Sequence, residues 1–160
     1  MPEQDGYADD ALQARDQQTA LTPVAEVLRA AGFYAYVTLD AESRWSVACD
    51  TDEGHVDVRI GADGLDLDVW DTSPGLFAEE EDERHRAAQE RLARVSLTAV
   101  SRGVLEPGQE AWWDEPEQGI GVRLRYHLPF TLQPDIGTIA KRCLAELNEV
   151  IALVEQRLTE

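Results

Sequence analysis

The chain of 160 residues predicts an α+β fold: an antiparallel β-sheet, built as a meander plus a hairpin, packed against helices. Three observations lead there. From Pro134 to Leu158, Ile136, Ile139, Ala140, Cys143, Leu144, Leu147, Val150, Ile151, Val154 and Leu158 recur at steps of three and four, a wide apolar stripe of helical period. Between Phe33 and Phe130 the dominant period is two. Turn residues cut that middle region into hairpins. A terminal amphipathic helix with so broad a stripe must lie on an apolar surface, and the alternating segments supply one face of a sheet.

The elements follow in order. Residues 1–18 are rich in Asp, Gln and Ala with few large apolar side chains, and are expected to be a disordered or frayed lead-in; residues 19–160 form a single domain. Thr22-Pro23 reads as N-cap and first turn of a short helix whose inner side is Val24, Val27, Leu28 and Ala31, closed by Gly32. Phe33–Leu39 and Arg44–Cys49 then alternate around a three-residue Ala41-Glu42-Ser43 loop. That loop sets Leu39 against Trp45, Val37 against Val47 and Ala35 against Cys49. A second hairpin turns at Gly61-Ala62-Asp63-Gly64, pairing Ile60 with Leu65, Val58 with Leu67, Arg59 with Asp66 and His55 with Trp70. It also sets Asp57 against Asp68, a like-charge contact that calls for a cation nearby.

Thr72-Ser73-Pro74-Gly75 breaks the pattern, and the acidic run Glu79–Glu83 leads into a second long helix reaching about Arg102. Its apolar side is read as Ala88, Leu92, Val95 and Ala99, small enough for close approach of another helix within the monomer or across a dimer. A last hairpin around Glu115-Pro116-Glu117-Gln118 pairs Asp114 with Gly119, Trp113 with Ile120, Trp112 with Gly121 and Glu110 with Arg123. Its second strand runs into the terminal helix, with Gln133 as N-cap, Pro134 at the first position and Asp135 in the first turn.

A formal net charge of −18, from 32 acidic and 14 basic residues, repels nucleic acid and anionic membranes, and neither is expected as a partner. Cys49 and Cys143 lie among apolar neighbours with no ligand or redox spacing, as reduced core residues of a cytoplasmic protein do. No apolar run approaches the ~20 residues of a membrane span, and the N-terminus shows no charged-then-apolar signal pattern.

The order helix, antiparallel meander, helix, hairpin, long amphipathic helix, over Thr22 to Leu158, resembles the YbjN family and the type III secretion chaperone fold similar to it. The stretch that carries the resemblance best is Val122-Arg123-Leu124-Arg125-Tyr126-His127-Leu128-Pro129-Phe130 followed by Ile136–Leu158. The chain departs from that pattern in having four strands, rather than three, before the second helix. The resemblance implies a non-enzymatic, dimeric binding module that holds an extended segment of a partner protein.

The candidate partner-binding residues are Trp70 and Trp112, outward-facing aromatic anchors, and Arg123 and Arg125, which with His127 make the one concentrated positive stripe of the chain. The plainer role of that stripe is to neutralise acidic strands beside it. Asp57, Asp66, Asp68 and Asp71 could gather on one face as hard-cation ligands, but strand carboxylates without loop oxygens make poor cages, and no metal or cofactor is expected. His55, His85 and His127 stand singly, outside any paired-ligand or nucleophile–base spacing, so no catalytic residue is assigned and no enzyme is expected. The alternative to a homodimeric binding module is an acidic inhibitor, immunity-type protein or nucleic-acid mimic that occupies a basic partner.

Overall fold

The computed structural model describes residues 2–160, with side chains from Arg15 onward. It is an α+β structure of three helices and one six-stranded antiparallel sheet. In chain order the elements are α1 (Pro2–Ala30), β1 (Ala35–Leu39), β2 (Trp45–Thr51), β3 (Gly54–Ile60), β4 (Leu65–Ser73), α2 (Glu83–Val104), β5 (Gln109–Asp114), β6 (Gly119–Leu128), a 3₁₀ turn (Phe130–Asp135) and α3 (Ile136–Thr159). The sheet order is β1-β2-β3-β4-β6-β5: β6 returns after α2 to pair with β4 and leaves β5 on the far edge. Among the described residues no helix is long and apolar enough to cross a membrane.

Each hairpin register follows from its alternation. Leu39 faces Trp45, Val37 faces Val47 and Ala35 faces Cys49. Ile60 faces Leu65, Val58 faces Leu67, and Asp57 does meet Asp68. Trp113 lies across from Ile120 and Trp112 across from Gly121. A one-residue slip anywhere would turn the aliphatic set into solvent, so burial of one face holds the register. The tight turn at Gly64 adds a steric lock, because a Cβ there would lie 2.2 Å from the Leu128 carbonyl oxygen.

All three helices cover the same face. Helix α3 crosses β3, β4 and β6 with Ile136, Ala140, Cys143, Leu144, Leu147, Ile151 and Val154 buried beneath it. Helix α1 lies beside it over β1 and β2, contributing Leu21, Val24, Ala25 and Leu28. The two helices touch where Gly137 meets Ala31: a Cβ on Gly137 would sit 2.5 Å from the Ala31 Cβ. Helix α2 packs on α3 and β5.

Three helix details differ from the sequence expectation. The helix does not open at Thr22-Pro23: from Arg15 the chain is already helical, Thr22 Oγ1 donates back to the Gln18 carbonyl, and Pro23 is interior. Burial of Leu21 just ahead of the proline rewards continuation of the helix, which a local capping signal cannot reveal. The lead-in expected over residues 1–18 falls largely on side chains outside the described residues. At the other end, Gln133 and Pro134 belong to the 3₁₀ turn, and α3 begins at Ile136 with no side-chain cap from Asp135.

The third correction concerns α2. Asp82 caps it through the backbone N–H groups of Arg84 and His85, but the face turned inward is Ala93 and Leu97, not Ala88, Leu92, Val95 and Ala99. Those four are exposed, Leu92 at 67% and Val95 at 78%. Both sets have helical spacing. Leu97 wins the inner face because Val100, Val104 and Leu105 continue its side onto the core.

Candidate functional site

Strands that bury one face to helices present the other to solvent, and here that second face carries no helix. Its side chains line a shallow depression of about 840 Å³ extending from β1 to β6. The floor is built on β2 by Ser46 and Ala48, which are buried although no helix lies over them. Small residues there let the longer side chains of β1 and β3 close in from both sides. Ser46 Oγ, fully buried, has no hydrogen-bond partner.

Charge on this face is arranged as a network. Asp40, at the end of β1, accepts backbone N–H bonds from Glu42 (2.8 Å) and Arg44 (3.0 Å) and pairs with Arg59 Nε at 2.8 Å. Burial opposes the Asp40 charge, but those N–H donors and the Arg59 and Arg44 guanidinium groups outweigh it and hold its pKa below the ordinary value. Arg59 also approaches Asp68 at 4.0 Å, and Arg125 approaches the same carboxylate at 3.8 Å. These cations answer the Asp57–Asp68 juxtaposition. Burial still raises the Asp68 pKa despite Arg125, Arg59 and Arg123.

The pairing of β4 with β6 makes the face nearly self-neutralising. Asp66 lies across from His127, Asp68 from Arg125 and Trp70 from Arg123. His127 bridges Asp66 (2.8 Å) and Asp63 (3.1 Å), and its hydrogen bond to Asp66 leads in raising its pKa. His55 is bracketed by Asp50 and Asp57 and lies 4.8 Å from Trp70 with the ring planes tilted by 44°, and the Trp70 indole N–H donates to Asp57 at 3.3 Å. Burial works against the His55 charge, but the Asp57 and Asp50 carboxylates together outweigh it, so the pKa is raised.

The structure places Trp70, Trp112, Arg123 and Arg125 on this one face, on the adjacent strands β4, β6 and β5. Trp112 lies over Gly121, where a Cβ would meet its ring at 2.1 Å, and Arg123 stands 5.6 Å from the ring centroid. Arg123 pairs with Glu110 at 3.2 Å, and Arg125 reaches the same carboxylate at 3.6 Å. Both arginines are therefore engaged within the molecule, in the neutralising role.

The four aspartates do not assemble. Asp71 lies opposite Val122, on the helix-covered side, because strand alternation separates it from Asp66 and Asp68. Arg59 stands among the others. Among the described residues no group of three or more His, Cys, Asp or Glu is disposed to hold a metal ion. Cys49 and Cys143 are buried free thiols, with burial pushing their pKa values up to about 12 and about 11. Such thiols are poor nucleophiles. His85 lies apart, at the start of α2, paired with Glu80 at 2.9 Å.

Asp40 was not legible as a member of this face, nor was the burial of Ser46. Asp40 joins it through the β1–β2 loop and Arg59, two strands away, and Ser46 through the small size of a β2 side chain. The charge order Asp66-x-Asp68-x-Trp70 against Arg123-x-Arg125-x-His127 is the signal by which the β4–β6 pairing could have been found.

No family model matches this chain, and no curated protein matches it. The crystal structure of an uncharacterized protein from Methanothermobacter thermautotrophicus is similar at a TM-score of 0.48 and 12% identity, over 86% of this chain and 98% of that one.

Proposed function

We propose that the protein is a non-enzymatic binding module of the cytoplasm that acts as a dimer and holds an extended segment of a partner protein on the open face of its sheet. The observation that supports this reading is the uncovered face itself: a shallow trough lined by half-buried Trp70 with Arg123 and Arg125, and half-buried Trp112 on the edge strand β5 beside it. Trp70 and Trp112 supply apolar area at small entropic cost, as interface anchors do. Arg125, with a side chain 56% exposed, is held to Glu110 and Asp68 by ion pairs of the kind worth about 0–1 kcal/mol, which a partner carboxylate or backbone carbonyl can replace. The depression is open and runs across several strands, suited to a chain and not to an enclosed small molecule.

Selection of random peptides on the immobilised full chain tests the reading. Enriched sequences should bind in solution, and Trp112→Ala should weaken them by about tenfold or more, as loss of an aromatic anchor does. Arg125→Ala should weaken them less. Failure to enrich any peptide, or indifference of all of them to Trp112→Ala and Trp70→Ala, would reject the open face as the site.

A further inference from the structure

We infer that the open face holds a socket for one lysine side chain of the partner, its ammonium set among Ser46, Asp57 and Asp68 on the consecutive strands β2, β3 and β4. The inference rests on the binding role proposed above and names the residue that anchors the bound segment. The strand registers bring one row of side chains to the place. Tyr36 lies beside Ala48, Ala48 beside Asp57, Asp57 beside Asp68 and Asp68 beside Arg125. Ala48 is the smallest of the five and leaves a step in the row, apolar ground on which the stem of a lysine can lie.

Charge specifies the occupant. The neighbouring Asp57 and Asp68 side chains are only 19% and 13% exposed. Of the charged groups on this face that are less than a quarter exposed, three are carboxylates (Asp40, Asp57 and Asp68), set against Arg59 and the titratable His55. Arg59 is committed to Asp40 at 2.8 Å. Asp68 is left with Arg125 at 3.8 Å and Arg59 at 4.0 Å, both approaching Oδ2, and it accepts no hydrogen bond among the described residues. A carboxylate so withdrawn from water needs a donor, and the free protein supplies none. Asp57 holds one donor on each oxygen, His55 Nε2 and Trp70 Nε1, and keeps a further lone pair on each. Ser46 Oγ, fully buried under the same depression and without a hydrogen-bond partner, is the third acceptor.

Three acceptors on three adjoining strands match the three N–H donors that an ammonium carries around one point. A guanidinium matches them less well, because its planar fork seeks both oxygens of a single carboxylate. Both Asp57 oxygens are already engaged, and Oδ2 of Asp68 has two arginines beside it. An anionic side chain is repelled by Asp57 and Asp68 themselves. When the ammonium takes Asp68, Arg125 is released toward a backbone carbonyl of the bound segment, so anchoring the lysine and gripping the main chain become one event.

The free protein bears a cost for this arrangement. Burial raises the Asp68 pKa in spite of Arg125 and Arg59. Its ionised form therefore weakens the fold at neutral pH, and the penalty disappears below the ordinary carboxylate value, where the group is protonated folded or unfolded. A carboxylate retained for structure alone would do the reverse.

Nuclear magnetic resonance on the full chain, titrated with Nα-acetyl-lysine methylamide and with its norleucine analogue, is the test. The lysine probe should move the Trp70 indole N–H signal and the Asp57 and Asp68 amide signals, and norleucine should leave them in place. The arginine analogue should bind more weakly than lysine. Asp68→Asn should weaken the lysine probe by roughly tenfold or more, the scale of a hydrogen bond to a charged group. Ser46→Ala should weaken it less and melt no lower than the wild type, since the hydroxyl it removes is unbonded in the free protein. Asp68→Asn should also melt higher than the wild type at neutral pH, and the gain should shrink near pH ~3. Shifts confined to the exposed Glu79–Glu83 segment, an equal response to norleucine, or an Asp68→Asn protein that melts lower at neutral pH would overturn the inference. A lysine probe seated in the socket while no peptide is enriched would uphold the socket and reject the extended-segment reading. Enriched peptides that lose nothing on exchange of lysine for norleucine, and nothing on Asp68→Asn, would uphold that reading and overturn the socket.

Discussion

The two faces of the sheet are built from the same strands under opposite rules. Toward the helices, Val47, Val58, Leu67, Val69 and Leu124 are almost wholly withdrawn from water and offer nothing but shape. Toward solvent, the residues between them include Trp70 and the charged Arg59, Asp68, Arg123 and Arg125, with Arg59 and Arg125 near Asp68 at 4.0 and 3.8 Å and Arg123 paired with Glu110 at 3.2 Å. The covered face gains its stability from area, at roughly 25 cal/mol per Å² of apolar surface. The open face cannot, because its pairs are screened and nearly cancel. A face that contributes little to stability yet keeps tryptophans and arginines together is free to be used for binding.

Substitutions that touch one face only sharpen this contrast. The largest effect belongs to the covered face: Leu147→Ala, at a fully buried position of α3 against the sheet, should cost about 2–5 kcal/mol by leaving a cavity. Urea unfolding followed by far-UV circular dichroism would measure it. A loss below about 1 kcal/mol would mean that α3 is less central to the packing than its burial indicates.

On the open face, Asp40→Ala should cost less, about 1–2 kcal/mol, by removing the acceptor of the Glu42 and Arg44 backbone N–H groups and leaving Arg59 without its nearest carboxylate. The pH dependence separates this from simple packing. Because the folded-state pKa of Asp40 is depressed, its contribution is present above the ordinary carboxylate value and disappears as pH falls through the lower folded one. Melts at neutral pH and near pH ~3, below the ordinary carboxylate value, should therefore differ for the wild type by more than for Asp40→Ala. Equal differences would show that the carboxylate charge is not what the loop uses.

Much of this architecture was legible because the strands obey strict alternation. Ala35–Leu39, Trp45–Thr51, Gly54–Ile60 and Leu65–Ser73 each carry an alternating apolar set, and their turns leave one pairing that turns it toward the helices, with only Leu39 at the end of edge strand β1 left exposed. Trp70, Trp112, Arg123 and Arg125 could be assigned to the polar face on the same ground. The helices were less legible. A 3.6-residue period admits two stripes on α2, and only contact with α3 and β5 selects Ala93 and Leu97. Likewise Thr22-Pro23 is a sound local start signal overridden by burial of Leu21. The β4–β6 pairing, which creates the charge network, spans an intervening helix and strand, and hairpin rules do not reach that far.

The smallest expected effect probes whether the two faces are electrostatically independent. His55 hydrogen-bonds Asp50 and Asp57 and lies against Trp70, all on the open side. Its pKa is raised in the folded state, so its stabilising contribution is complete below the unfolded value of about 6.5 and is lost as pH rises through the folded value. His55→Gln should therefore lower the melting temperature more at pH ~6 than at pH ~8, two points that bracket the histidine range. Comparing variant with wild type at each pH cancels the general self-repulsion of a chain with net charge −18. Leu147→Ala, by contrast, should lower the melting temperature by the same amount at both values, since what it removes is buried apolar packing. A pH-dependent deficit in Leu147→Ala, or a flat one in His55→Gln, would show that the two sides of the sheet are coupled after all, and that binding on the open face would be felt in the core.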